Sequence, residues 1–257
     1  MEKEATMSTN QVIGQSTSPT LFGVVKQRSS SAIVWLALMG YLALVKVIIT
    51  FFPAIFRSAV QTAVFDWPFL GVWTVAGLIG VWLAHRTGFP DAWDRRIGNR
   101  QRFLISALLG LGISLPFVAI DLLTHFTAIQ AAQHGQPREN IDFPASVLIY
   151  PGGAVIVELI YRLFLVPLLL WLISNVALKG RWQAQVFWVL AFLTSLIEPL
   201  TQDMDMFQFG VGLMATVFLL DYLLNFLQAA LFRKYGFLAA IVLRVAFYAV
   251  WHIVYVH

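Results

Sequence analysis

Glu158 and Arg162 stand four residues apart in an otherwise apolar stretch, and Arg244, Tyr248 and His252 repeat that spacing near the C-terminal end. On a helix, residues four apart share a face, and an acid preceding a base is the favourable order. Glu198 is a further acid in an apolar run. Two carboxylates, two guanidiniums and a histidine, if gathered, make a proton-handling site. The same groups equally make a buried ion-pair network that fixes helix packing. Lys46, Asp121 and the pair Asp221 and Asn225 are the other polar groups in apolar runs. Lys46 is expected to snorkel, Asp121 lies near a span end with His125 one turn later, and Asp221 with Asn225 is read as a hydrogen-bonding pair.

Such residues need a membrane-spanning frame. Of the 257 residues, 59% are apolar and only 12% charged, against about 25% charged in a soluble domain. The mean hydropathy is +0.77. A water-soluble enzyme is excluded, because the polar surface is too small to cover so many apolar side chains, and disordered, collagen-like and coiled-coil classes go with it. A spanning helix needs about 20 apolar residues. The apolar runs predict an all-α bundle of about seven spans, near Ser31–Phe52, Phe69–Ala84, Phe103–Leu123, Ala145–Ile173, Ala184–Leu200, Phe207–Phe232 and Phe237–Val256. Residues 1–30 read as a polar cytoplasmic tail, and 31–257 as one transmembrane domain. Tyr150-Pro-Gly-Gly153 is expected to break or start the fourth helix, and Pro116 and Pro167 also fall within spans.

Charge gives the orientation. Lys3, Lys26 and Arg28 precede the first span. Arg86, Arg95, Arg96, Arg100 and Arg102 follow the second, Lys179 and Arg181 the fourth, and Arg233 and Lys234 the sixth. The opposite connections hold only Arg57 and Arg138. Basic residues mark the cytoplasmic side, so the N-terminus is expected in the cytoplasm and the C-terminus outside. The pI near 9.5 is thereby explained by topology, and no nucleic-acid partner is expected. The chain has no cysteine, which removes disulfides and thiolate chemistry.

At about 1.5 Å per residue, Glu158 and Arg162 lie about 12 and 18 Å down the inward-running fourth span. His252, Tyr248 and Arg244 lie about 6, 12 and 18 Å down the outward-running seventh. Both stripes are therefore expected at matching depths in the bilayer, with Glu198 near enough to join them.

The residues around these stripes resemble the CPBP (Abi) family of intramembrane proteases, related to CAAX prenyl endopeptidases and bacteriocin-processing proteins. Tyr150-Pro-Gly-Gly-Ala-Val-Ile-Val-Glu-Leu-Ile-Tyr-Arg162 is similar to the family's Glu-Glu-x-x-x-Arg motif. Glu158 matches the second acid and Arg162 the arginine, while Val157 occupies the place of the first acid. Tyr235-Gly-Phe-Leu-Ala-Ala-Ile-Val-Leu-Arg244 resembles the approach to the third motif, with Arg244 in place of histidine and Tyr248 in place of the Asn or Asp four later. In the Phe-x-x-x-His motif, Phe192 is followed by Leu196, and Glu198 is the nearest polar substitute. The resemblance covers about residues 150–252.

It implies an endopeptidase of a bacterial plasma membrane acting on membrane-associated peptides or proteins. Glu158 would be the general base, Arg162 and Arg244 would hold charge, and His252 would donate a proton or stabilise an oxyanion. Arginine has no lone pair with which to replace a histidine base or ligand. Only Glu158, Glu198 and His252 are metal-ligand types here, and neither a metal nor another cofactor is expected. Two further readings stand beside hydrolysis. One is a non-catalytic membrane module that binds a partner protein, and the other is a small transporter with an intramembrane charged site.

Overall fold

The computed structural model describes residues 21–56, 62–133, 141, 143–202 and 204–255. The first twenty residues of the expected tail, and Arg57 and Arg138, lie outside the described residues. Among those described there is no strand, and seven helices are long and apolar enough to cross a membrane. The protein is an all-α polytopic membrane bundle.

The helices are α1 (Leu21–Phe51, apolar from Ser30), α2 (Trp67–Arg86), α3 (Arg100–Thr124), the short α4 (Phe126–Gln133), α5 (Ala145–Ala177), α6 (Gln183–Gln202), α7 (Val211–Tyr235) and α8 (Phe237–Tyr255). They follow the apolar runs closely. The largest departure is in α1, whose helix begins at Leu21, ten residues before the expected span and within the stretch read as a tail; α7 starts four residues late, because Phe207 belongs to a preceding 3₁₀ turn, Met204–Phe209. Helix α8 packs most extensively on α3, and also on α7 and α5, while α2 bridges α1 and α5.

Close helix approach is made by glycines rather than by surface hydrophobicity, since lipid offers apolar side chains as good an environment as protein does. A Cβ on Gly110 of α3 would overlap the Leu243 carbonyl oxygen of α8, and one on Gly77 of α2 would overlap the Trp35 ring of α1. Gly80 of α2 abuts the carbonyl of Leu163. That carbonyl lies four residues before Pro167, which has no N–H to offer it.

The expected break at Tyr150–Gly153 is not made, because the helix runs unbroken through Pro151 from Ala145 to Glu158. A proline forfeits one ladder bond, and surrounding groups in a bundle absorb that loss. Gly152 instead serves packing, since a Cβ there would stand 2.6 Å from the Phe65 ring. The helix widens lower down, into π turns at Leu159–Leu165 and Trp171–Ala177. Lys46 does not simply snorkel: its Nζ donates to Asp66 at 2.5 Å. Asp121 accepts from the Thr127 backbone N–H and hydroxyl and from Tyr255, at 2.9, 2.7 and 3.0 Å.

A single residue, Gly236, joins α7 to α8. Its φ of 86° lies where side chains are disfavoured, and its N–H donates to Phe232 as α7 ends. Between α2 and α3, Asp94 accepts from Arg96 through the backbone N–H (2.9 Å) and Nη2 (2.6 Å). The Arg96 guanidinium holds the Asp94 carboxyl below the usual carboxylate range.

Candidate functional site

Arg244 of α8 is the centre of the charged cluster. Its Nε donates to Glu158 Oε1 at 2.8 Å, and Nη1 and Nη2 grip both oxygens of Glu198 at 2.7 Å each. Nη1 also donates to the Tyr248 hydroxyl at 3.2 Å, and Nη2 to Gln228 Oε1 at 3.0 Å and Asn225 Oδ1 at 3.3 Å. A guanidinium has five N–H donors, and these six acceptors use all of them. Arg162 turns to α7 instead, where its Nη2 donates to the Asn225 carbonyl at 2.8 Å and to its side-chain oxygen at 2.6 Å. Asn225 Nδ2 in turn donates to Asp221 Oδ1 at 3.2 Å.

Local sequence explains how these groups meet. Gln228 lies eight residues before Gly236 and Arg244 eight after it, so the one-residue turn brings both to the same depth, about 12 Å from the connection. Glu158 closes the regular part of α5, and Arg162 sits in the π turn that follows. Helix α6 is interrupted by a turn at Ser195 and Leu196, just before Glu198. Pro199 withholds the N–H that the Ser195 carbonyl would otherwise accept. Four helices thus supply the cluster, and none of Glu158, Arg162, Glu198, Asn225, Gln228 and Arg244 is more than 4% exposed.

Of the residues singled out by sequence, Glu158, Glu198, Arg244 and Tyr248 are in direct contact, and Arg162 joins through Asn225. His252 is connected by rings: it stacks on Tyr150, with centroids 4.4 Å apart and planes at 11°, and meets the edge of Tyr248 at 4.9 Å. Phe192 is largely exposed on the lipid-facing side of α6, with its ring against Tyr222. The expected Asp221–Asn225 bond is present. Sequence reasoning missed Gln228 and the bridging role of Asn225, because it searched spans for charge. The signal was a polar stripe at 221, 225 and 228, with helical spacings of four and three.

Chemically, the arrangement gathers opposite charges and neutralises them. Both Glu198 oxygens and one Glu158 oxygen are held by Arg244. Glu158 Oε2, Arg162 Nε and Nη1, and Gln228 Nε2 are buried with no hydrogen-bond partner among the described residues. Those residues contain no group of three or more His, Asp or Glu placed to hold a metal ion. Comparison with protein-family models, with curated proteins and with solved structures finds no match to this chain.

Proposed function

We propose that this chain is a CPBP-like module of a bacterial plasma membrane that binds a membrane-associated protein partner and does not hydrolyse it. The carrying observation is the position of Arg244. Where the family resemblance calls for a histidine with a free ring nitrogen, a guanidinium stands with every N–H engaged, tying down the two acids that water activation would need. A general base must reach the proton it takes and offer it a lone pair, and a base buried in a water-excluded ion-pair network does neither readily. The motif order on α5, α6 and α8 supports descent from the hydrolytic scaffold.

The full chain, reconstituted in vesicles with a broad set of membrane-anchored peptides, is expected to cleave none of them. Cleavage by the unmodified protein that disappears in Glu158→Gln would overturn this reading. It would establish the second one, an intramembrane endopeptidase with Glu158 as base. One observation favours that alternative: Glu158 Oε2 is the single carboxylate oxygen of the Arg244-bound pair that no donor among the described residues holds. In that case Glu158→Gln keeps size and hydrogen bonding but cannot accept the water proton.

A further inference from the structure

Where α5 gives way to α6, the chain presents Lys179, Arg181 and Trp182, all exposed, Trp182 to 70%. Their backbone is in an uncommon shape. Lys179 and Trp182 have φ of 54 and 59°, left-handed values that disfavour any side chain, and Gly180 between them has φ of 81°. The shape is fixed from beneath: the Gly180 N–H donates to the Ser174 carbonyl at 2.7 Å, and the buried Ser174 hydroxyl donates to the Arg181 carbonyl at 3.1 Å. Backbone strain of this kind persists only where its surroundings over-determine it, and it clusters at binding sites.

A third cation stands beside them. Arg86 closes α2 with its guanidinium 5.3 Å from the Trp82 centroid, and the Trp82 ring lies 6.1 Å from that of Trp171 in α5. Asn175 and Gln183, which flank the connection, donate to the carbonyls of Arg86 and Thr87 at 3.3 and 3.0 Å. The end of α2 and the α5–α6 connection therefore form one surface. Residues 82–90 and 171–190 contain no acid, and none of the ion pairs among the described residues involves Arg86, Lys179 or Arg181. The α2–α3 connection is also basic but carries its own counter-charges, Asp91 and Asp94, and Asp94 pairs with Arg96. The span surface next to the three cations is apolar and exposed, at Trp82 of α2 and at Leu172 and Val176 of α5.

Uncompensated cations bordering an exposed apolar face are the complement of an anionic amphiphile. We propose that this surface binds an anionic glycerophospholipid from the leaflet at that end of the bundle. Its phosphate would lie among Arg86, Lys179 and Arg181, and its chains would run along α2 and α5. The Trp82 and Trp182 indoles would then sit at headgroup level, where such rings are favoured. A zwitterionic lipid offers the same phosphate and chains, but its ammonium meets three cations and no acid, so the surface discriminates by net charge. A polyanion without chains gains nothing from the apolar face. The proposal is independent of whether the Arg244 cluster hydrolyses anything.

Native mass spectrometry of the detergent-purified full chain tests it, with phosphatidylglycerol, phosphatidylethanolamine and phosphatidylcholine of identical chains added in turn. Phosphatidylglycerol is expected to be retained at least about fivefold more than either zwitterion, a difference of about 1 kcal/mol. Combining Arg86→Gln, Lys179→Gln and Arg181→Gln should remove most of that preference. These side chains are exposed and in no ion pair, so the variant should unfold thermally as the unmodified protein does. A matched control, Arg95→Gln with Arg100→Gln and Lys234→Gln, takes as much charge from exposed positions on the neighbouring connections and should keep most of the preference. Retention of phosphatidylglycerol no greater than that of either zwitterion, a preference that survives the first triple variant, or one lost equally in the control would each overturn the proposal.

Discussion

A guanidinium buried among two carboxylates, two amides and a phenol is a costly object taken singly and a stable one taken together. Each ion loses hydration worth several kcal/mol on burial, and only the mutual attraction and full hydrogen bonding return it. Arg244→Met therefore leaves Glu158 and Glu198 buried without their cation, and is expected to cost about 3–5 kcal/mol. Adding Glu158→Gln and Glu198→Gln to Arg244→Met removes all three charges and should recover most of that loss. Equilibrium unfolding in mixed micelles reads both variants, and a triple variant no more stable than the single one would show that the cluster is not held by charge balance. The members of this cluster were largely legible in the sequence, because an ionisable group in an apolar run needs a partner and the spacing of four puts partners on one face. What was not legible is which acid the arginine chooses. Glu158 and Arg162 look like a pair in sequence, yet the structure gives Glu158 to Arg244 and Arg162 to Asn225. That exchange depends on the contact between α5, α7 and α8, which the spacing along one helix does not contain.

Elements meet in this bundle at glycines, and their burial separates structural from incidental ones. Gly110 and Gly112 are two residues apart on α3, in the same apolar sequence. A Cβ on Gly110 would run into the Leu243 backbone carbonyl, one residue from Arg244, while a Cβ on Gly112 meets nothing within 4 Å. Gly110→Ala must push α3 off α8 and is expected to cost about 1–3 kcal/mol, as overpacking of a tight core does. Gly112→Ala should be neutral or slightly stabilising, since alanine is the better helix residue. Thermal unfolding of the two variants side by side checks the contrast, and equal melting temperatures would contradict the α3–α8 packing. The sequence shows both glycines but not which one faces a neighbour. Hydropathy finds the spans because their length is set by the bilayer. It says little about rotation, because nearly every face of these helices is apolar. The same blindness explains Pro151, which reads as a helix breaker in isolation but lies in a helix whose neighbours tolerate one missing ladder bond.

At the scale of the whole molecule, the basic connections converge on one end. Arg233, in the last turn of α7, donates to the carbonyls of Thr87 and Gly88, after α2. Gln183, at the start of α6, donates to the same Thr87 carbonyl at 3.0 Å, and Asn175, near the end of α5, donates to that of Arg86 at 3.3 Å. Ser30 and Ser31, where the apolar part of α1 begins, bind Asp91. Three connections and the start of the first span are therefore stitched together at the end that carries Arg86, Arg95, Arg96, Arg100, Lys179, Arg181, Arg233 and Lys234. Translocating so many Lys and Arg side chains is disfavoured, which is the physical content of the positive-inside rule. The expected orientation places that end in the cytoplasm, with Arg244 about 12 Å from it, close to the midplane. The absence of cysteine gives a clean test, because any introduced thiol is the only one present. Arg95→Cys and Gln202→Cys both sit at exposed positions, one at each end. In intact cells an impermeant thiol reagent should label the variant at 202 and spare the one at 95 until the membrane is opened. Labelling of the position-95 thiol from outside, with the position-202 thiol protected, would reverse the orientation.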